Sequence, residues 1–195
     1  LNILALGTIL FTDCHLGSSP LVSLPQVLSH ILPITLGQAT TSIFTIFVIA
    51  ELLMVKKVDL IILNQFVVAF MFGYIVDFYN IKVGLDRISP PSIMSQIITL
   101  LFAIIFTSFG VFLMIKTDFI LNPPDGFVNT LCQKTRMSFG KTKSLFDVSM
   151  VLLTFVMSIL FIHHVSSIGI GTLLAVILVG NLVNFWNAYF SKHVM

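Results

Sequence analysis

Six stretches of this chain are apolar, five of them for about the length of a lipid bilayer, and that feature removes most folds at once. A helix crosses the hydrocarbon core with about 20 residues, each rising about 1.5 Å. The stretches run Leu1 to Phe11, Leu36 to Met54, Leu60 to Phe78, Ile93 to Ile115, Leu145 to Phe161 and Ile168 to Phe190. Leu1 stands inside an apolar run, so the first span reads as cut short at its start. Phe, Leu, Ile and Val lie on all faces of these stretches rather than on one stripe, as lipid-immersed helices require. No period-2 alternation suggests a β-barrel. Only 9% of the 195 residues are charged and the mean hydropathy is +1.06, against about 25% charged residues in an ordinary soluble domain. The sequence therefore predicts an all-α, polytopic membrane protein with the lipid bilayer as its main partner.

The net charge of +2 is spread along the chain, so nucleic acid is not expected as a partner. The basic residues fix an orientation, because cytoplasmic loops collect them. With six crossings and both termini cytoplasmic, the inner side gathers Lys56, Lys57, Lys116, Lys134, Arg136, Lys141, Lys143 and Lys192. Only Lys82 and Arg87 fall outside. Tyr79 and Trp186 then stand near span ends, where aromatic belts form. Cys14 and Cys132 fall on opposite sides in this arrangement and read as free thiols.

Two shorter segments lie between the spans: Pro20 to Pro33 after the first, and Pro123 to Ser138 after the fourth. As helices they reach roughly 21 to 24 Å, less than a crossing. They read as half-helices, either re-entrant or lying at the interface.

The chain also repeats itself. Gly73-Tyr74-Ile75-Val76-Asp77-Phe78-Tyr79-Asn80 aligns without a gap with Gly180-Asn181-Leu182-Val183-Asn184-Phe185-Trp186-Asn187. Gly17-Ser18-Ser19-Pro20 leading to Thr35-Leu36-Gly37 parallels Asn122-Pro123-Pro124-Asp125 leading to Ser138-Phe139-Gly140, and Gly7 parallels Gly110. The halves are 1–92 and 93–195. Each holds three crossings, an odd number, so the second enters the membrane in the opposite sense to the first. Inverted repeats of this kind occur in many secondary transporters, with substrate sites near the midplane between the halves.

On these residues the chain resembles the YczE/YyaS/YitT family of bacterial integral membrane proteins. Gly-x-x-Pro at Gly17 to Pro20, Pro-x-Asp-Gly at Pro123 to Gly126, and Ile168-Gly169-Ile170-Gly171-Thr172-Leu173-Leu174 leading to Gly180 carry the likeness. It covers nearly the whole chain. The family's first motif continues as Pro-Trp-Asp, whereas this chain has Pro20-Leu21-Val22, so only its second half carries the acid. Asn64-Gln65 also stand opposite Gly171-Thr172. The resemblance implies a bacterial plasma-membrane protein with a transport-related function, and it supplies no substrate.

The candidate substrate-binding residues are those at the two half-helix starts and near two span ends. Asn122, Pro123, Pro124, Asp125 and Gly126 combine a carboxylate with free backbone N–H groups at a helix start, which suits a polar substrate group. The competing reading is an ordinary helix start, with Asp125 supporting the helix dipole. Gly17, Ser18, Ser19 and Pro20 offer hydroxyls and open backbone in the first half, or else a tight serine turn. Asp77 and Asn184 occupy equivalent span ends, where a charge is a functional candidate by default. Glu51 reads as reaching toward Lys56 and Lys57, and Asp147 as capping the fifth span. His15, His30, His163, His164, Asp13 and Cys14 share one side but match no metal-ligand spacing, so no metal and no cofactor are expected.

No catalytic motif emerges, and the chain does not read as an enzyme. The leading expectation is a small-solute transporter or permease working between inverted halves. A substrate-binding membrane subunit of an energy-coupling-factor type import complex, and a structural or regulatory membrane protein that moves nothing, are the alternatives. The substrate stays unidentified, and a homodimer or partner membrane subunits are both compatible with small residues such as Gly73, Gly180 and Ala69.

Overall fold

The computed structural model describes residues 1–57, 59–85, 90–117 and 120–193, the last two by their backbone only. Arg87, assigned above to the outer side, lies outside the described residues. Among the described residues eight α-helices follow one another: α1 (Asn2–Asp13), α2 (Pro20–Ile31), α3 (Leu36–Val55), α4 (Leu60–Asp77), α5 (Ile93–Lys116), α6 (Pro123–Thr135), α7 (Phe139–Met157) and α8 (Ile170–His193). A π-helical turn extends α4 over Phe78–Lys82 and another extends α7 over Ser158–Ile162. No strand occurs among the described residues.

Local chemistry sets the boundaries. Thr35 starts α3 with a reciprocal capping box to Gln38, and Ser92 does the same for α5 with Ser95, each satisfying two orphan N–H groups of the first turn. Proline occupies the first helical position of both α2 and α6, where its missing N–H costs nothing. Lys56 ends α3 and Arg136 ends α6 in the left-handed conformation, at φ 56° and 57°.

Among the described residues five helices, two of them with their π extensions, are long and apolar enough to cross a membrane: Leu36–Val55, Leu60–Lys82, Ile93–Lys116, Phe139–Ile162 and Ile170–Ser191. The first expected span, read above as cut short, corresponds to α1. α1 has 12 residues, about 18 Å of helix, which is short of a crossing. α7 also begins six residues before the expected Leu145. The polar run from Lys141 to Ser144 suggested a loop, but Lys143 is neutralised by Asp147 one turn on, so its charge does not end the helix. α8 starts two residues later than expected, at Ile170.

Outer faces are apolar as well as the core. On α4, Leu60, Val67, Phe70, Met71 and Tyr74 are each at least half exposed and repeat at helical spacing, which lipid tolerates and water does not. The chain is a membrane protein of apolar helices.

Packing pairs the elements in a regular way. α3 lies along α4, and α7 along α8. The short α2 is held between α7 and α3, and the short α6 between α3 and α7. α1 packs on α5, where Gly7 faces the backbone of Thr107 and Gly110 faces that of Leu4. Leu4, Phe44, Phe72, Val128 and Met150 belong to one buried cluster, and the Phe44 and Phe72 rings stack at 5.2 Å.

Candidate functional site

Each short helix starts in the interior and ends at the surface. In α6, Pro123, Pro124, Asp125 and Gly126 are buried, whereas Gln133, Lys134 and Thr135 are exposed. In α2, Pro20 to Ser23 are buried and His30 is exposed. The first turn of α6 meets the second and third turns of α7, and there three charged side chains come together. Lys143 Nζ lies 2.7 Å from Asp147 Oδ1 and 3.6 Å from Asp125 Oδ1. Asp125 is 1% exposed, Lys143 3% and Asp147 2%. The Phe146 ring stands 5.5 Å from the same ammonium, a favourable cation–π placement.

Sequence reasoning found Asp125 and missed its partners. Lys143 was placed in a cytoplasmic loop and Asp147 at a helix cap; both are instead interior residues of α7, and Ser138 is the N-cap. Their spacing of four residues was the available signal, since an i, i+4 pair shares a helix face. Asn122 is the N-cap of α6, is 0% exposed and makes no side-chain cap bond. Neither atom of its side-chain amide finds a hydrogen-bond partner among the described residues. Both Asp125 oxygens likewise lack one within hydrogen-bond distance. Counted as ions, the cluster carries one negative charge in excess, beside open polar positions.

The first half places different groups at the same stations. Val22, Thr40 and Phe44 stand 103 residues before Asp125, Lys143 and Asp147. Where the acid is missing, its two partners are missing as well. Ser23 and Thr154 share a hydroxyl hydrogen bond of 2.8 Å where α2 meets α7.

Gly17 and Ser18 form a seam with the start of α8. Ser18 N–H donates to Ser167 O at 2.9 Å, Gly171 N–H to Leu16 O at 2.7 Å, and the Thr172 hydroxyl to Ser18 O at 2.8 Å. Gly17 has φ +110°, and a Cβ there would lie 2.5 Å from the backbone nitrogen of Gly169, so only glycine fits. The Ser18 hydroxyl bonds to Gln26. Ser19 is the N-cap of α2 and makes no side-chain cap bond.

Asp77 and Asn184 are brought to neither half-helix start. Asp77 accepts the Gly37 N–H at 2.8 Å and the Thr35 hydroxyl at 2.6 Å, at the head of α3. Asn184 accepts the Gly140 N–H at 3.3 Å, at the head of α7. Each caps the neighbouring helix of its own hairpin.

Glu51 does not reach for Lys56 and Lys57. It is 4% exposed, and its Oε1 accepts the Thr130 hydroxyl of α6 at 2.8 Å, because α6 covers the inner face of α3. Cys14 and Cys132 are free thiols. No group of three or more His, Cys, Asp or Glu gathers to hold a metal among the described residues.

Polar cavities flank the interior among the described residues. One, of about 390 Å³, lies among α3, α4, α5 and α6 and is lined by residues that include Glu51, Gln65 and Thr130. Another, of about 210 Å³, is lined by residues that include Thr12, Gly17, Ser18, Gln26 and Ser167.

This arrangement coincides with a match over nearly the full length: residues 1–188 fit the family of unknown function DUF6198. The chain belongs to that family. Uncharacterized protein YyaS of Bacillus subtilis (strain 168) is 28% identical over 193 residues, covering 99% of this chain and 91% of the relative. An uncharacterized protein of Haemophilus influenzae (strain ATCC 51907 / DSM 11121 / KW20 / Rd) is 26% identical over 192 residues, covering 95% and 79%. The likeness read from the motifs to the YyaS type thus holds. No solved structure matches the chain. In this DUF6198 member the motif residues Pro123 to Gly126 form the buried start of α6, next to the ionic cluster.

Proposed function

We propose that the chain is a small-solute transporter or permease of the bacterial plasma membrane, whose site lies between two inverted repeats at the buried start of α6. The observation that carries this reading is the ionic cluster of Asp125, Lys143 and Asp147, each at most 3% exposed. Charges held inside an apolar helical protein are costly and mark solute or ion pathways.

The pairing of helices supports the inverted halves. Under the exchange of α1 with α5, α2 with α6, α3 with α7 and α4 with α8, the contact of α2 with α7 becomes that of α6 with α3. The contact of α1 with α5 maps onto itself, as a two-fold relation between the halves requires. Thr41 hydroxyl to Ala69 O at 3.4 Å in one hairpin answers Ser144 hydroxyl to Val176 O at 2.9 Å in the other. The burial gradients of α2 and α6 suit re-entrant half-helices, and their backbone is tolerated there because protein surrounds it. The two polar cavities occupy related stations, since Ser18 and Gln26 stand 103 residues before Leu121 and Asn129. The larger polar cavity is lined by Gly126, next in sequence to Asp125, which also favours transport over a purely structural role.

The test is flux in proteoliposomes across a panel of small neutral and charged solutes. The parent chain moves at least one solute faster than empty vesicles, and Asp125→Asn slows that flux by about ten-fold or more, the loss of one charge-assisted contact. A parent indistinguishable from empty vesicles for every solute removes the reading. Equal flux in Asp125→Asn removes Asp125 from it.

A further inference from the structure

The cavity of about 390 Å³ among α3, α4, α5 and α6 holds a second set of unmet polar atoms. Its volume has room for roughly a dozen waters. Glu51, Asp59, Gln65, Asn129, Thr130 and Gln133 supply its polar lining, and no Lys, Arg or His is among its described lining residues. Glu51 Oε1 is met by the Thr130 hydroxyl at 2.8 Å, but Oε2 has no partner among the described residues. Gln65, 2% exposed, has an Oε1 in the same condition. Gly126 leaves the space that the Gln65 amide occupies, since a Cβ there would lie 2.9 Å from Gln65 Oε1.

Two buried acceptors on one cavity, one of them a carboxylate, suit a donor with positive charge. No cation reaches them among the described residues. Lys134, one turn beyond Thr130 on α6, gives its ammonium to Met54 O at 2.6 Å. A divalent metal is a poor fit. The described lining residues include two carboxylates, and Asp59 uses Oδ1 to cap α4 through the Ile61 N–H at 2.8 Å.

We propose that this cavity binds a small organic ammonium ion, whose N–H groups reach Glu51 and Gln65 and whose alkyl part faces Ile62, Met114 and Ile115. Binding here is an equilibrium property of the cavity and does not depend on the transport reading.

The experiment is calorimetric titration of the full chain in lipid nanodiscs with propylammonium chloride and with tetramethylammonium chloride, which has the same charge and no N–H. Propylammonium binds saturably, and tetramethylammonium binds about ten-fold more weakly or worse. Glu51→Gln weakens propylammonium by about ten-fold or more and Gln65→Met by about three-fold or more, in keeping with loss of charged and neutral hydrogen bonds. If Glu51→Gln does not yield a monodisperse protein, Gln65→Met carries the test. Absence of saturable binding means the cavity holds only water and overturns the proposal. Equal affinity for the two cations, or unchanged affinity in Gln65→Met, overturns it too.

Discussion

Lys143 and Asp147 face each other one turn apart on α7, 2.7 Å between ammonium and carboxylate, with almost no surface to water. Such a pair adds little over apolar residues of similar volume, but removing one member strands the other. Lys143→Met leaves Asp125 and Asp147 with no cation between them. The expected cost is about 3 to 5 kcal/mol, read from unfolding in mixed micelles. Adding Asp125→Asn and Asp147→Asn recovers most of it. A single variant as stable as the parent would mean that water reaches the cluster.

Asp77 and Asn184 are assigned a structural role by the same kind of measurement. Asp77→Ala removes the acceptor from the Gly37 N–H and the Thr35 hydroxyl, and should destabilise by about 1 to 2 kcal/mol, the range for a lost helix cap. Asp77→Asn keeps an acceptor, as Asn184 does for Gly140, and should leave stability and solute flux near the parent values. A large flux defect in Asp77→Asn at unchanged stability would return Asp77 to the site.

How much of this was legible follows from which signals are local. Helix positions came through because a run such as Ile93 to Ile115 has one physical solution in lipid. Proline at helix starts announced α2 and α6, and their buried heads follow from where they pack. Lys143 was misread because a cation next to Lys141 resembles an interface residue, and only contact with α6 reveals the neutralising geometry. Glu51 was misread for a related reason: its partner Thr130 is 79 residues away, beyond any spacing rule. Asp77 was noticed as unusual, but its capping of α3 requires knowing that the hairpin brings Gly37 to Gly73.

That hairpin contact makes its own prediction. A Cβ on Gly140 would lie 2.6 Å from Gly180 O, and one on Gly73 would lie 2.5 Å from Gly37 O. Backbone cannot step aside as a side chain can, so the helices must separate. Gly140→Ala and Gly73→Ala should each cost about 1 to 3 kcal/mol, the scale of overpacking. The check is thermal unfolding in detergent, and a neutral result for both would contradict the close approach.

The two thiols should behave differently toward alkylation. Cys14 is fully buried, and that burial pushes its thiol up from the ordinary value, so little of the reactive thiolate forms. Cys132 is half-buried near the end of α6. In the native protein at neutral pH a maleimide should label Cys132 and spare Cys14, and denaturation should expose both. Mass spectrometry of the labelled peptides decides it, and equal native labelling would place Cys14 within reach of solvent.

The inverted arrangement is open to a topological test with the same chemistry. Lys57 follows α3 and His164 follows the π extension of α7, and both are exposed. If the halves enter the bilayer in opposite senses, these equivalent loops lie on opposite faces. In a background with Cys14→Ala and Cys132→Ala, Lys57→Cys should be shielded from a membrane-impermeant maleimide applied outside intact cells, whereas His164→Cys should react. Permeabilisation should then open Lys57→Cys to the reagent. Labelling of both positions from one face would give the halves the same sense. The two-fold exchange of helix contacts would then have to arise without inversion, and the re-entrant reading of α2 and α6 would fall with it, because two half-helices entering from one face cannot bring their buried ends together from opposite sides.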